Sequence, residues 1–359
     1  MADLAEVSLD AVTAASGRFD DIIDVRSPAE FAEDHLPGAI NLPVLSDDER
    51  AQVGKIYKQI SPFDARKFGA ALVAANAARH IAGPLRDREG AWRPLVYCWR
   101  GGQRSGAFAT ILAQVGWRVS RLDGGYKSWR SLVVRRAHEQ GFAAPVIVLD
   151  GNTGSAKTAI LHRLAAMGHQ IVDLEGLAHH RGSLFGARGA QPSQKMFEGR
   201  LAAALEALDP GQPVIVEAES SRIGDLELPK AVWAGVKDAP RLSLRVPVAA
   251  RAAYSALDYR DVTADAGRLR AILQKLAPLH PAERIAQWLR MAEDGKWRQL
   301  AEGLMRDHYD PRYEKHRARY ADREMSSVAL DDLSDLDRAA ETVSNALGRM
   351  APRAAGRRP

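Results

Sequence analysis

The stretch VYCWRGGQRSG, residues 96 to 106, holds the only cysteine in a chain of 359 residues. Val96, Tyr97 and Cys98 end an apolar run, two glycines follow, and Arg104 and Ser105 open an amphipathic stretch that Gly116 closes. This reads as a buried strand, a tight loop and a helix. Cys98 then lies at the carboxyl end of a strand, where parallel sheets place their ligands. The backbone N–H groups of Trp99, Arg100, Gly101, Gly102 and Gln103, together with the helix N-terminus, face the sulfur and make a cradle for a tetrahedral anion. A lone cysteine at a strand end also serves as inert packing, but the glycine pair and the flanking Arg100 and Arg104 favour a nucleophilic thiolate.

Working outward, DDIIDVRS reads as a buried strand and PAEFAEDH as a helix with Pro28 in its first turn. VSRLDGGYKSWR gives a strand, a glycine turn and a helix. A second alternating system follows AHEQGFAAP. There VIVLD is a strand, GNTGSAKT a loop, AILHRLAAMG a helix stopped by Gly168, and PVIVEAESS another buried strand. Strands alternating with helices predict parallel sheets covered on both faces. From about residue 265 the pattern is helical and charged. The expected organisation is an α/β domain over residues 1–138 and a second α/β domain over 145–345 with a helical C-terminal region. A disordered basic tail is expected over 346–359.

One cysteine cannot form an internal disulfide, which suits a reducing, cytoplasmic setting. The N-terminal MADLAEVSLD lacks a signal-peptide core, and no run approaches the roughly 20 apolar residues of a membrane span. A soluble, non-membrane protein is expected. The net charge of +5 is unevenly spread: residues 1–50 carry a balance of −9 and residues 51–150 a balance of +10. Local basic excess is the footprint of a polyanion binder, although a solvated arginine-rich surface carries the same charge.

GNTGSAKT, residues 151 to 158, follows a strand and precedes a helix, the context of a phosphate loop. The N–H groups from Gly151 through Asn152, Thr153, Gly154, Ser155 and Ala156 would cradle a diphosphate. Lys157 would bind its terminal oxygens, and Thr158 could hold Mg²⁺. Ala156 stands where the pattern G-x-x-x-x-G-K-[ST] has glycine, which demands a backbone that tolerates Cβ and weakens the case for ordinary nucleotide hydrolysis. Glu217 and Glu219 end the next buried strand and could supply a Walker-B-like carboxylate. His179 and His180, adjacent in sequence, project in different directions, so no metal centre is expected there.

Cys98 and Arg104 fit C-x5-R, the phosphate loop of tyrosine phosphatases. The rhodanese family carries sulfur as a persulfide on the same scaffold, usually on a loop one residue shorter. DVRSPAEFAEDHLPGAINLP (24–43) and LDGGYKSWR (122–130) resemble rhodanese segments, and Tyr97 stands where tyrosine phosphatases usually have His. Asp24 and Arg26 are expected to fix the fold. A rhodanese-like domain followed by a P-loop NTPase-like domain is an uncommon pairing. From about residue 20 to 325 the chain resembles the tRNA 2-selenouridine synthase family through CWRGGQRS, GNTGSAKT, DLEGLAHHRGSLFG, QPSQKMFE, VEAESSRIG and HYDPRY, in that order.

The resemblance implies a transferase of selenium-containing groups acting on the wobble 2-thiouridine of tRNA. Geranyl diphosphate would alkylate the sulfur, and selenophosphate would then supply selenium to give 2-selenouridine. It implies no tightly bound cofactor, and a selenophosphate supply enzyme as a further partner. It brings His179, His180 and Arg181, with Ser220 and Arg222 of VEAESSRIG, into view as substrate contacts. Arg251, Tyr254 and the tyrosines of YDPRY could stack on anticodon bases or phosphates. The geranyl chain needs an apolar slot that no run of the sequence marks. Two other readings stand beside this one. The first is a sulfurtransferase or cysteine phosphatase acting on a small molecule or phosphoprotein and regulated by a nucleotide-binding domain. The second is a non-catalytic RNA-binding adaptor, against which the intact Cys98 loop argues.

Overall fold

The computed structural model describes residues 5–13 and 17–354. The chain divides into two compact units: Met1–Arg136 with Ser193–Ala203, and Ala137–Pro192 with Ala204–Pro359. A short segment of the expected second domain thus belongs with the first. Within that first unit Lys195 pairs with Glu33 at 2.6 Å, and Arg130 pairs with Glu198.

The first unit is built on strands β1 (Ala5–Val7), β2 (Asp21–Asp24), β3 (Ala39–Asn41), β4 (Pro94–Tyr97) and β5 (Ser120–Leu122). They lie in the order β1-β5-β4-β2-β3, and all four pairings are parallel. The central strand β4 is buried along its whole length, which is why its sequence is a continuous apolar run rather than an alternation. Ile23, Val25, Val96, Phe108, Leu112 and Trp117 form the core around it. Asp24 and Arg26 are fully buried and ion-paired at 2.6 Å. Arg26 also donates to the Asp34 carbonyl and lies 3.9 Å over the Tyr126 ring, so the pair fixes the loop after β2. Between β3 and β4 the helices Asp47–Gln59 and Pro62–Ala82 pack on each other, each started by a serine cap at Ser46 and Ser61.

The second unit carries β6 (Val146–Gly151), β7 (Gln170–Val172), β8 (Val214–Glu217), the hairpin β9 (Arg222–Ile223) and β10 (Leu226–Glu227), β11 (Arg241–Arg245) and β12 (Glu324–Ala329). Its main sheet runs β12-β11-β6-β8-β7, again all parallel, with β6 in the centre. Its loop therefore opens where crossovers leave to opposite sides, the usual ligand position of such sheets.

The C-terminal region departs from its expected helical character in one place. Strand β12 lies within it and forms the edge of the sheet; only Val328 of this strand is buried, so it carries little apolar signal. The expected tail is also shorter than read. The helix Leu336–Ala354 buries Ala339, Ala340, Val343, Ala346, Leu347 and Met350 in the core with Ile160 and Leu164. That apolar stripe at helical spacing carries the chain beyond residue 346 into the fold. Residues 355–359 lie outside the described residues. Among the described residues no helix is long and apolar enough to cross a membrane.

Candidate functional site

Cys98 follows β4 and is 3% exposed. The turn at Gly124 and Gly125 grips its loop from one side. Tyr126 N–H donates to the Cys98 carbonyl at 2.8 Å and Lys127 N–H to the Trp99 carbonyl at 3.0 Å. Gly125 has φ +57°, and a Cβ there would stand 2.3 Å from the Cys98 oxygen and 2.5 Å from the Gly101 nitrogen. Only glycine permits this approach. On the other side begins the helix Gln103–Val115, whose Gly102 cap makes no side-chain hydrogen bond, so its first N–H groups stay available to an anion. Ser105, buried on the first turn, points its hydroxyl at the sulfur and donates to Sγ at 3.1 Å.

Arg104, expected near the sulfur from its spacing, is held by an ion pair. Its guanidinium pairs with Glu30 at 2.8 Å. Burial opposes the charge on Glu30, yet Arg104 holds that carboxyl below its ordinary range. This pair ties the helix start to the helix Pro28–Glu33. Arg100 is exposed, and Trp99 leans on Tyr126 with ring centroids 5.1 Å apart.

The loop after β6 lines a pocket of about 360 Å³. Thr153, Gly154, Ser155, Ala156, Lys157 and Thr158 all face it. Ala156 adopts φ +57°, ψ +28°, the left-handed conformation that glycine usually takes at this position. The loop therefore keeps its shape despite the methyl group, at a local strain of about 1–2 kcal/mol. Gly154, at φ +82°, packs where a Cβ would meet Ser255 Oγ at 2.5 Å and Met305 Cε at 2.6 Å. Lys157 Nζ donates to the Gly151 carbonyl at 3.0 Å and stands 5.8 Å from the Tyr313 ring. Burial works against its charge, but Tyr313, Glu219, Glu175 and Asp150 raise its pKa above the ordinary lysine value. It is a fixed cation at the base of the pocket.

HYDPRY supports this loop from behind. Asp310 takes a two-pronged pair from Arg251 at 2.9 and 2.7 Å and accepts Asn152 Nδ2 at 2.9 Å. Arg251 also donates to the Thr153 carbonyl at 3.0 Å. Arg251, expected as a substrate contact, is instead 3% exposed and serves as the buried clamp of the phosphate loop. Tyr254 and Arg181 do line the pocket. Arg181 lies 4.8 Å over Tyr259 and bonds Asp261 at 3.0 Å.

The acids sort differently from their expected roles. Glu217, fully buried, accepts the Glu175 N–H at 2.8 Å and does not reach the pocket wall. Burial first, then the neighbouring Asp173 and Glu175, pushes its carboxyl well above the usual range. The carboxylate that faces the loop is Glu175, whose Oε2 accepts the Thr158 hydroxyl at 2.9 Å. Glu219 hydrogen-bonds Glu175, and burial, then the Glu175 charge, raises its carboxyl far above the ordinary value. Gly182, at φ +65°, leaves room for both. As long as Glu219 holds its proton, less negative charge stands beside Glu175 to oppose an anion. As pH rises through its raised pKa, Glu219 ionises and adds negative charge, so diphosphate affinity is expected to fall by about tenfold. Titration of inorganic diphosphate at several pH values, wild type against Glu219→Gln, checks this. The variant should lose the protein's share of the pH dependence and keep only that of the ligand; identical profiles would contradict the assignment.

His179 takes φ +53° at the end of the helix Leu174–Ala178 and its ring Nδ1 contacts the Ala190 carbonyl at 3.1 Å. His180 Nδ1 accepts the Gly182 N–H at 3.1 Å. Neither histidine lines the pocket, nor do Ser220, which accepts the Arg222 N–H at the entry to β9, and Arg222, whose Nε donates to the Gly224 carbonyl in the turn of the β9–β10 hairpin. Among the described residues no group of three or more His, Cys, Asp or Glu side chains is placed to hold a metal ion. Sequence reasoning missed Glu175 and Asp310; each stood inside a motif it had quoted, but neither sits at a spacing that marks a partner of the loop.

Residues 8–132 match the rhodanese-like domain family, and residues 144–270 match the tRNA 2-selenouridine synthase AAA domain. The chain is 35% identical over 279 residues to the tRNA 2-selenouridine synthase of Nitrosomonas europaea, covering 76% of this chain and 72% of that protein. It is 39% identical to the tRNA 2-selenouridine synthase of Chromohalobacter salexigens, over 67% of this chain and 65% of that one. The corresponding values for the tRNA 2-selenouridine synthase of Hahella chejuensis are 37%, 66% and 63%. With a thiol loop and a phosphate loop each built as described, and with similarity of this extent across both units, the chain belongs to the tRNA 2-selenouridine synthase family.

Proposed function

We propose that this protein replaces the sulfur of a wobble 2-thiouridine in tRNA with selenium in two stages. In the first, the thiocarbonyl sulfur attacks the allylic carbon of geranyl diphosphate; the C–S bond forms as the C–O bond breaks, and diphosphate leaves. In the second, the selenium of selenophosphate adds at the base carbon and the C–S bond breaks, releasing geranyl thiol, a better leaving group than the original thiocarbonyl sulfur; water then cleaves the P–Se bond, so that phosphate leaves and 2-selenouridine remains. The observation that carries this reading is the coexistence of two anion cradles of different chemistry. One contains a thiol with a donor aimed at it, Ser105 on Cys98. The other contains a permanent cation, Lys157, with a pocket in front of it.

Lys157 and the loop N–H groups would stabilise charge developing on the departing diphosphate. The hydroxyl of Thr158 and the carboxylate of Glu175, 2.9 Å apart, are oxygen donors suited to Mg²⁺ shared with substrate phosphates. Such an ion would offset the diphosphate charge. The test of the whole reading is mass spectrometry of wobble nucleosides after the protein is incubated with 2-thiouridine tRNA, geranyl diphosphate and selenophosphate. Geranylated and selenated nucleosides are expected; the absence of both would remove it.

The tRNA part is supported by the helical hairpin of the first unit. Tyr57, Phe63 and Phe68 are 58%, 65% and 37% exposed there, unusual for large rings on a surface. The exposed cations Lys55, Lys58 and Arg66 stand on the same two helices, whose acids are Asp64 and, in the first turn of the first helix, Asp47, Asp48 and Glu49. Basic groups interleaved with aromatics suit a single-stranded nucleic acid. Affinity for tRNA is expected to fall steeply with salt. The triple variant of Lys55, Lys58 and Arg66 to Glu should weaken binding and reduce the slope of log K against log[salt] by about one for each phosphate no longer neutralised. An unchanged slope would assign the tRNA to another face.

A further inference from the structure

A second, smaller cavity, of about 70 Å³ against about 360 Å³ for the phosphate pocket, adjoins that pocket. The two share Thr153, Ser183 and Tyr259 in their walls. Beyond that shared edge the second cavity is apolar, built from Phe185, Leu269, Leu300, Leu304 and Met305. These five side chains are buried, so the space is a recess in the core of the helical subdomain rather than a surface dent. Well-packed interiors seldom leave such a void, and an apolar cavity beside a few convergent polar groups is the usual form of a ligand site. Ala256, Thr263 and Trp297 line the recess but not the phosphate pocket, and they also line a separate open cleft with Arg260, Gln299 and Glu302. Trp297 therefore stands in the wall common to the recess and that cleft.

We propose that this chamber holds the apolar chain of a prenyl diphosphate whose diphosphate lies in the loop from Gly151 to Thr158, and that Trp297 is the end wall that sets chain length. The inference rests on the prenyl-donor reading above and deepens it. An anion cradle opening into an apolar recess selects a ligand that is charged at one end and hydrocarbon at the other. A nucleoside diphosphate fits poorly, because the recess offers no charged or amide side chain to read a base edge. The allylic carbon then sits at the boundary marked by Tyr259. The incoming sulfur forms its bond there, and the C–O bond breaks with its electron pair leaving on the diphosphate toward Lys157. The apolar walls keep water from that carbon.

The experiment measures binding of inorganic diphosphate, geranyl diphosphate and farnesyl diphosphate to the full chain by calorimetry, for wild type, Ala301→Phe and Trp297→Ala. Ala301 lines the chamber but not the phosphate pocket, so a phenylalanine there fills the recess from the helix Trp297–Leu304. Wild type should bind geranyl diphosphate at least about tenfold tighter than inorganic diphosphate. Ala301→Phe should lose that gain and keep its affinity for inorganic diphosphate, which also reports an intact fold. Trp297→Ala should shift preference toward farnesyl diphosphate by about tenfold or more. If Ala301→Phe retains the geranyl gain, or Trp297→Ala leaves chain preference unchanged, the chamber assignment is overturned while the prenyl-donor reading stands. If wild type itself gains nothing from the geranyl chain, the prenyl-donor reading fails and the chamber assignment with it.

Discussion

Changing Cys98→Ser is expected to abolish selenation while leaving geranylation of 2-thiouridine tRNA near its wild-type rate. Serine keeps the shape of the loop, its Tyr126 and Lys127 hydrogen bonds and the Ser105 donor beside it, because those interactions use the backbone or another side chain. What disappears is the soft, nucleophilic sulfur of the loop, replaced by a hard alcohol oxygen. Loss of such a group costs at least about 10³-fold in other enzymes. Prenyl transfer needs only the tRNA sulfur and the diphosphate donor, and Cys98 belongs to a different unit from the phosphate loop. Product analysis with 2-thiouridine tRNA and with S-geranyl tRNA distinguishes the stages. Loss of geranylation in a folded Cys98→Ser variant would mean that the two loops act in one step.

Changing Lys157→Ala should have the complementary effect. Lys157 is the permanent cation at the base of the phosphate pocket, ringed by Tyr313, Glu219 and Glu175. Its removal takes away the charge that faces the leaving diphosphate, at about 3 kcal/mol or a hundredfold in rate. It also leaves the Glu175 carboxylate uncompensated in the pocket, so affinity for diphosphate falls with the rate. Geranylation should therefore fail. The same variant should still convert tRNA supplied already S-geranylated, because selenation draws on the Cys98 loop. Rates of both conversions, with a melting curve to show the fold intact, decide the matter. Failure of the variant on S-geranyl tRNA would assign the phosphate loop a part in both stages.

Much of this protein is legible in the linear chain, because the decisive signals are local. A strand, a glycine-bearing loop and a helix within a dozen residues determine where backbone N–H groups point, so both the Cys98 loop and the Gly151–Thr158 loop were readable as anion cradles. The continuous apolar runs at Val96 and Val146 likewise determined two parallel sheets, since only strands covered on both faces are apolar throughout. Long-range pairing carries no such local mark. That Arg104 neutralises Glu30 depends on residues 74 apart in the chain being folded together. That Asp310 anchors Asn152 and Arg251 depends on a helix docking behind the loop. Strand β12 was hidden because an edge strand buries little, and Glu175 replaced Glu217 as the pocket carboxylate because only burial separates a wall from a core. Motif chemistry follows from neighbours in sequence, whereas charge compensation, cavity shape and the identity of the supporting residues follow from neighbours in space, which tertiary packing alone brings together.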